Sequence, residues 1–227
     1  MERKKTVLIA ALGGALAGAL ATLLRIDFSR IRIFAPDEAL RGWKPFLLAS
    51  VAGWVIFSLY WEYAARNAAA AKSSESRSSR RVHVFLTNIA LLLEIAPIHG
   101  LGRWVPVSPV VMAAGLAIEA AGLALAIWAR RHLGRNWSGE ITVKVDHQLI
   151  RSGPYRLLRH PIYTGILVMY LGPMLVTGEW LAVVGFGVAL TAYWRKIRIE
   201  EATLDTAFGP AYDDYRRETW ALVPGLF

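Results

Sequence analysis

Six blocks of apolar residues, separated by short polar segments, run along the chain. They cover residues 6–24, 45–61, 83–98, 107–129, 163–177 and 179–194. A helix of about 20 apolar residues crosses the roughly 30 Å hydrocarbon layer of a bilayer, so each block predicts one transmembrane helix. The last two blocks are short and flank the turn sequence "TGEW", which predicts a helical hairpin over residues 163–194. The pattern therefore predicts an all-α integral membrane protein with about six transmembrane helices.

The composition agrees with a membrane protein. Of the 227 residues, 55% are hydrophobic, and the mean hydropathy is +0.38. Soluble domains are less apolar than this. The chain contains no cysteine, which excludes disulfides and metal sites built on thiolates. We predict no metal site, and nothing in the sequence indicates an oligomeric state.

The basic residues are distributed unevenly between the two sides of the predicted helices. If the N-terminus is cytoplasmic, 20 of the 26 Lys and Arg residues lie in cytoplasmic segments and 6 lie on the other side. Short cytoplasmic loops carry the excess of Lys and Arg in membrane proteins, so we expect both termini in the cytoplasm. The net charge of +9 then reflects topology and attraction to the lipid bilayer. No aromatic-basic stacking module is visible, so we expect no nucleic-acid partner.

The chain divides into two regions by its polar content. Residues 1–129 hold the first four predicted helices and a linker over residues 64–81, whose Ala, Ser and basic residues predict a mobile cytoplasmic segment. Gly14 and Gly18 form a GxxxG step, which is typical of close helix packing. Residues 130–227 hold a polar loop, the hairpin and an amphipathic C-terminal segment.

Two acidic residues, Glu94 and Glu119, lie inside predicted transmembrane helices. An ionisable residue at membrane depth is a candidate functional residue. A structural role facing other helices is the alternative, and the sequence leaves both open. An ion or proton-coupled carrier would use such acids, so this class of function stays open as well.

The predicted hairpin enters and leaves the membrane on the cytoplasmic side. It therefore brings residues 130–161 and 195–227 together beside the bilayer. Within the first segment, "EITVKV" over residues 140–145 alternates apolar and polar residues and predicts a short strand, and "SGPY" predicts a turn. These segments predict a small cytoplasmic cap over the helix ends.

Three motifs in these segments carry a family resemblance. "HLGRNWSG", "HQLIRSGPYRLLRHPIYTG" and "EEATLDTAFGPAYDDY" resemble the isoprenylcysteine carboxyl methyltransferases and the related membrane phospholipid methyltransferases. The resemblance runs from about residue 130 to the C-terminus, while the first four helices match in hydrophobicity alone. It implies that the chain binds S-adenosylmethionine in a cytoplasmic pocket and methylates a lipophilic acceptor that arrives from the bilayer.

The resemblance also assigns residues to the cofactor site. Residues 147–150 and Tyr155 would border the nucleoside, and Glu200 would bind the ammonium group of the cofactor through a charge-assisted hydrogen bond. Amide groups at the start of the helix after Pro161 can face the carboxylate. The expected cofactor-binding residues are Asn136, Glu140, His147, Gln148, Leu149, Ile150, Tyr155, His160, Pro161, Ile162, Tyr163 and Glu200.

The methyl acceptor is not determined by the sequence. A carboxylate of an isoprenylcysteine-like molecule is already ionised at neutral pH and needs no base, whereas the amine of a phospholipid must first lose a proton. Glu201 or a histidine is the candidate base for the amine. Arg195 and Lys196 are expected either to contact the substrate or to anchor lipid phosphates. Arg159 has the same anchoring alternative. A nicotinamide-dependent reductase ranks behind these possibilities, and no GxGxxG or P-loop motif is present.

Overall fold

The computed structural model describes residues 42, 44–66, 76–95, 102–106, 108–137, 141 and 148–225. Six α-helices lie within these ranges: α1 (Lys44–Ala65), α2 (Arg77–Ile95), α3 (Pro109–Leu133), α4 (Pro161–Thr177), α5 (Trp180–Phe208) and α6 (Pro210–Glu218). Two short 3-10 turns follow α3 and precede α4, at Gly134–Asn136 and Gly153–Arg156. In the described ranges there are isolated β-bridges but no strand, so the protein is mainly helical.

Four predicted blocks coincide with α1 to α4, and the hairpin consists of α4 and α5. Two boundaries were predicted wrongly. Helix α5 continues 14 residues past the predicted end at residue 194, to Phe208. The predicted linker over residues 64–81 is helical at both ends, since α1 ends at Ala65 and α2 begins at Arg77. Ser76 accepts a hydrogen bond from the Ser79 amide, and this N-cap starts α2 earlier than hydropathy alone indicates.

Several sequence predictions fall outside the described residues. They are the first predicted helix over residues 6–24 with its Gly14 and Gly18 step, the middle of the linker over residues 67–75, and all but Ile141 of the predicted strand.

Two helices are long and apolar enough to cross a membrane by length and composition, Lys44–Ala65 and the stretch Pro109–Asn136. Pro161–Thr177 is also apolar but is shorter. Large apolar side chains also lie on the outer surface; Val110, for example, is 79% exposed. A surface with many exposed apolar side chains is suited to lipid and not to water.

Helices α3 and α4 pack antiparallel with their backbones in close contact along a seam of four glycines. A Cβ atom at Gly122 would lie 2.6 Å from the carbonyl oxygen of Gly165, and one at Gly115 would lie 2.8 Å from that of Gly172. Seven residues separate the two glycines on each helix, which places them on one helix face two turns apart. The two helices can therefore come this close because these glycines have no side chains. Small residues have the same effect in pairs of membrane helices.

The two acids at membrane depth lie in similarly tight places. A Cβ atom at Gly53 of α1 would lie 2.5 Å from Glu119 Oε1, and one at Gly185 of α5 would lie 2.9 Å from Glu94 Cγ. Both glutamates are buried. Their side chains thus fill gaps left by glycines on neighbouring helices. This arrangement agrees with a structural role facing other helices, which was one of the two alternatives for these acids.

The end of the hairpin is fixed at Gly178, where α4 stops in a left-handed conformation with φ of 65°. Glu179 forms an ion pair with Arg103, with 3.1 Å between Arg103 Nε and Glu179 Oε1. Helix α5 then returns antiparallel to α4 and packs against α2, where a Cβ at Gly185 would lie 2.7 Å from the Ala90 carbonyl oxygen. This return places residues 195–201 of α5 beside the first turn of α4.

We predict that Gly165→Ala destabilises the protein by about 1–3 kcal/mol, because overpacking a tight interface forces backbone shifts. The new Cβ would meet the amide nitrogen of Ala126 at 2.7 Å. Gly187→Ala is the matched control, since nothing lies within 4 Å of a Cβ at that position of α5, and alanine has the higher helix propensity. Thermal unfolding in detergent measures both variants. Equal stability of the two variants would contradict the packing role of the seam.

Candidate functional site

A polar cluster lies where the first turn of α4 faces the middle of α5. Tyr163 donates a hydrogen bond to Glu200 through its hydroxyl, with 2.7 Å between Tyr163 Oη and Glu200 Oε2. His160 lies 3.7 Å from the same Glu200 oxygen through Nδ1 and 3.2 Å from Glu201 Oε1 through Nε2. The rings of His160 and Tyr163 stack with 5.5 Å between centroids. Residues about 40 apart in sequence thus form one cluster, as the hairpin predicted.

Glu201 is held by two cationic or hydrogen-bonding partners. Arg159 Nε lies 2.8 Å from Glu201 Oε1, and the Arg159 side chain is only 8% exposed. Burial by itself would raise the pKa of Glu201, but hydrogen bonds from His160 and Arg159 outweigh it and lower the pKa to about 2. Glu201 is therefore a fixed carboxylate at neutral pH and a weak proton acceptor.

Of the alternatives left open for Arg159, its contacts within the protein disfavour a lipid-phosphate anchor. Its guanidinium points into the protein, where Nη1 donates to the backbone carbonyls of Thr219 and Arg216 in addition to the contact with Glu201. Arg159 therefore ties the start of α4, the middle of α5 and the C-terminal segment together.

The C-terminal segment, residues 219–222, forms one wall of the cluster. The amides of Arg159 and His160 donate to the carbonyls of Trp220 at 2.8 Å and Ala221 at 3.1 Å. Thr164 Oγ1 donates to the Leu222 carbonyl at 2.7 Å. The motif before α4 is thus hydrogen-bonded along its backbone to a segment about 60 residues later in the chain.

These contacts determine which amides at the start of α4 stay available. His160 is bound to Ala221, and Pro161 has no N–H. The next two amides, of Ile162 and Tyr163, have no backbone acceptor in the described ranges. A helix N-terminus with unpaired amides carries partial positive charge and suits an anionic group.

The turn predicted from "SGPY" is a 3-10 turn that packs against the end of α3. Gly153 has φ of +59°, and a Cβ there would lie 2.6 Å from the His132 ring. Tyr155 is buried, and its hydroxyl donates to the Ala129 carbonyl at 3.4 Å. Tyr215 of α6 donates to the Tyr155 carbonyl at 2.7 Å. Tyr155 therefore links α3, α6 and the turn.

The remaining predicted cofactor residues vary in position. Pro161 and Ile162 are buried at the start of α4, Gln148 is exposed, and Leu149 and Ile150 are partly buried on the segment leading to the turn. Asn136 ends the 3-10 turn after α3. Glu140 and His147 lie outside the described residues. His160, Tyr163 and Glu200 are the three predicted residues that the structure brings into direct contact.

Arg195 and Lys196 have different surroundings. Arg195 Nη2 donates to Ser79 Oγ at 3.0 Å, which ties α5 to the start of α2. Lys196 Nζ lies 5.9 Å from the centre of the Tyr163 ring. Of these two cations, Lys196 is thus the one beside the polar cluster.

The C-terminal segment was missed by the sequence analysis. Its sequence "TWALV" contributes backbone carbonyls. Every residue has a backbone carbonyl, so the sequence could not predict this contribution. Arg130 was missed too. It lies buried at the end of α3. A buried charge needs a partner, but the sequence does not show which residue that partner is.

Comparison with known proteins identifies the central part of the chain. Residues 110–211 match the family model described as phospholipid methyltransferase. The match begins near the start of α3, so the expectation that the first four helices match in hydrophobicity alone is wrong for α3.

Individual relatives match the chain over part of their length. A protein-S-isoprenylcysteine O-methyltransferase from Dictyostelium discoideum is 33% identical over 82 residues, which are 36% of this chain and 35% of the relative. The cobalt-zinc-cadmium resistance protein CzcN from Cupriavidus metallidurans is 35% identical over 128 residues, 55% of this chain and 53% of the relative. The chain thus matches about a third to a half of the length of these curated relatives.

The fold is similar to a solved membrane protein. The eukaryotic intramembrane Ras methyltransferase, an isoprenylcysteine carboxyl methyltransferase, has a TM-score of 0.55 and 19% sequence identity, over 96% of this chain and 75% of that chain. This likeness shows the fold, and the described part of the chain has two helices long and apolar enough to cross a membrane. Residues 110–211 thus match the phospholipid methyltransferase family model over less than half of the chain, and the similarity to isoprenylcysteine carboxyl methyltransferases that the sequence motifs predicted is confirmed.

Proposed function

We propose that the chain is an S-adenosylmethionine-dependent methyltransferase that acts on a lipidated or lipid-soluble acceptor, with the carboxylate of an isoprenylcysteine-like molecule as the favoured acceptor. The observation that carries the proposal is the position of Glu200. Tyr163 holds one of its oxygens at 2.7 Å, and the side chain is still 29% exposed. A fixed and accessible carboxylate can bind the ammonium group of an amino acid, and the helix N-terminus beside it can bind the carboxylate.

The cluster fits the amino acid end of the cofactor. Glu200 Oε1 accepts no hydrogen bond from any described residue, so it can receive the cofactor ammonium. The amides of Ile162 and Tyr163 can receive the carboxylate. Tyr155 and residues 147–150 would border the nucleoside, with Asn136 and Glu140 as further lining residues.

When bound, the cofactor supplies an electrophilic methyl group on a sulfonium. Glu200 and the amides of Ile162 and Tyr163 would hold the cofactor, and a methyl group passing to a carboxylate would exchange a carbon–sulfur bond for a carbon–oxygen bond, with both charges neutralised and no proton to move. The protein therefore has to align the two reactants and exclude water. Tyr163 fixes Glu200, and Lys196, placed beside the Tyr163 ring, can attract the acceptor carboxylate. Arg195 is proposed to assist through its neighbouring position, although its side chain contacts Ser79.

The state of Glu201 favours the carboxylate over an amine acceptor. An amine needs a base, and a carboxylate with a pKa of about 2 that is paired with Arg159 is poorly suited to that task. We propose that Glu201 positions His160 and Arg159. Phospholipid N-methylation, which the family name also covers, remains the second candidate.

We predict methyl transfer from labelled cofactor to an S-prenylated cysteine analogue with a free carboxylate, and none to its methyl ester. Radiolabel incorporation by the chain in lipid nanodiscs measures both. Transfer to phosphatidylethanolamine in place of the acid would establish the second candidate, and transfer to neither would contradict both acceptors.

We predict that Glu200→Gln weakens S-adenosylmethionine binding about tenfold to a hundredfold with the fold intact. The substitution keeps the shape but removes the charge, and a hydrogen bond to a charged group contributes roughly 1.5–3 kcal/mol. His160→Ala should also weaken binding, because it removes the ring stacked on Tyr163. Calorimetry in detergent measures the dissociation constants.

Glu218→Gln is the control for this experiment, since Glu218 is an exposed acid at the end of α6. It should bind within about twofold of the unmodified chain. If the three variants bind alike while their melting temperatures are unchanged, the cluster is not the cofactor site. Binding of a nicotinamide dinucleotide in place of S-adenosylmethionine would favour the reductase.

We further propose six crossings with both termini in the cytoplasm and the cofactor site on the cytoplasmic face under a small cap. Support comes from the uneven distribution of Lys and Arg. Ser78→Cys at the start of α2 should react with an impermeant thiol reagent from the cytoplasmic side, and Pro106→Cys before α3 from the other side. Both positions are exposed, and the chain has no cysteine of its own. Reversed labelling would contradict the orientation.

The carrier alternative has less support. Glu94 and Glu119 are buried and packed against glycines of neighbouring helices, which leaves little room for a water-filled path beside them. Ion transport in liposomes without cofactor binding would nevertheless favour it.

A further inference from the structure

A second polar region lies at the C-terminal ends of α1 and α3, apart from the Glu200 cluster. It is a cleft of about 840 Å³ between the two helix ends. Four arginines line it, Arg66, Arg130, Arg131 and Arg135, together with Tyr60 and Tyr63. Among the described residues that line it, none is acidic. The cleft is therefore strongly basic.

Arg130 lies at the floor of this cleft, and only 3% of the residue is exposed. Its guanidinium donates to the carbonyls of Gly134 and Ala64, and it stacks over the Trp137 ring at 4.1 Å. These contacts cap the ends of α1 and α3 and use part of the hydrogen-bonding capacity of the guanidinium. Its Nε, however, is buried with no hydrogen-bond partner in the described ranges. An unpartnered buried N–H is costly and indicates a missing acceptor.

Two of the other arginines reinforce this indication. Arg66 and Arg131 are exposed, and neither forms an ion pair within the part of the chain that the structure describes. Like charges around one cleft repel each other, so their clustering is unfavourable unless an anion compensates it. Carbonyl groups at the two helix ends carry partial negative charge, but Arg130 already neutralises them.

The position of the cleft points to the class of anion. Both flanking helices are those with the length and hydropathy to cross a membrane, so the cleft opens where these helices leave the hydrocarbon layer. Lipid phosphates lie at this depth, and arginine forks bind phosphate oxygens in pairs. Tyr60 and Tyr63 have the amphipathic rings typical of the membrane interface.

We propose that this cleft binds a phosphate group, supplied by the headgroup of an anionic lipid or by free phosphate, at a site separate from the proposed methyl-transfer site. The inference does not depend on the proposed function, since it concerns other residues and another ligand. Arg66 and Arg131 contact the phosphate from the rim, and Arg130 completes the site from below.

The test compares two doubly substituted chains of equal charge in detergent. Arg66→Gln with Arg131→Gln removes two cleft arginines but keeps the capping Arg130. Arg77→Gln with Arg81→Gln removes two exposed arginines of α2, outside the cleft. The probes are dioctanoyl phosphatidylglycerol, dioctanoyl phosphatidylcholine and inorganic phosphate, and calorimetry gives their dissociation constants.

We expect phosphatidylglycerol to bind the unmodified chain more tightly than phosphatidylcholine. The cleft variant should lose about tenfold in affinity or more, as for one lost charge-assisted hydrogen bond, and the α2 variant should stay within about twofold. If inorganic phosphate competes with the lipid, the cleft binds both free phosphate and the lipid headgroup. If inorganic phosphate does not compete, the site is specific for the lipid. Equal losses in both variants, or no binding of any probe, would overturn the proposal. Unchanged S-adenosylmethionine affinity in the cleft variant would establish that the two sites are separate.

Discussion

The close approach of the α3 and α4 backbones is the constraint on which the rest of the structure depends. Gly115 and Gly122 on one helix face Gly172 and Gly165 on the other, and their spacing of two turns fixes the register between the helices. This register places the end of α3 beside the start of α4. Both polar regions of the protein lie at this end, so a shift of α3 against α4 would move the cofactor cluster and the basic cleft together.

A buried ion pair completes the arrangement. Arg159 and Glu201 are 42 residues apart in sequence and 2.8 Å apart in space, and Arg159 also binds carbonyls of the C-terminal segment. A buried charge is stable only when it is paired and hydrogen-bonded, so these partners must be present together. The proposed cofactor site is therefore supported by three separate parts of the chain, although Tyr163 and Glu200 alone provide its central contact.

The sequence predicted those features that repeat along a helix or occupy adjacent positions. Apolar blocks predicted α1 to α4 within a few residues, and the hairpin predicted that His160 and Glu200 would meet. The length of α5 was not predicted, because the charges after Trp194 mark the end of the apolar block while "RKIRIEEATL" keeps a high helix propensity. The burial of Arg159 was also missed, since its partners lie far away in sequence and an arginine beside a membrane usually faces lipid.

The direction of each helix explains the kind of polar group found at this end of the bundle. Helices α1 and α3 end here, and their last carbonyls carry partial negative charge, which Arg130 neutralises through Ala64 and Gly134. Helix α4 begins here, and its free amides carry partial positive charge. A cation is thus required beside α1 and α3, and an anion is favoured beside α4. Glu200 and Glu201 of α5 face this start of α4, where Tyr163, His160 and Arg159 bind them. Tyr163 occupies one Glu200 oxygen and no described residue donates a hydrogen bond to the other, so the role we propose for Glu200 is to bind a cationic group.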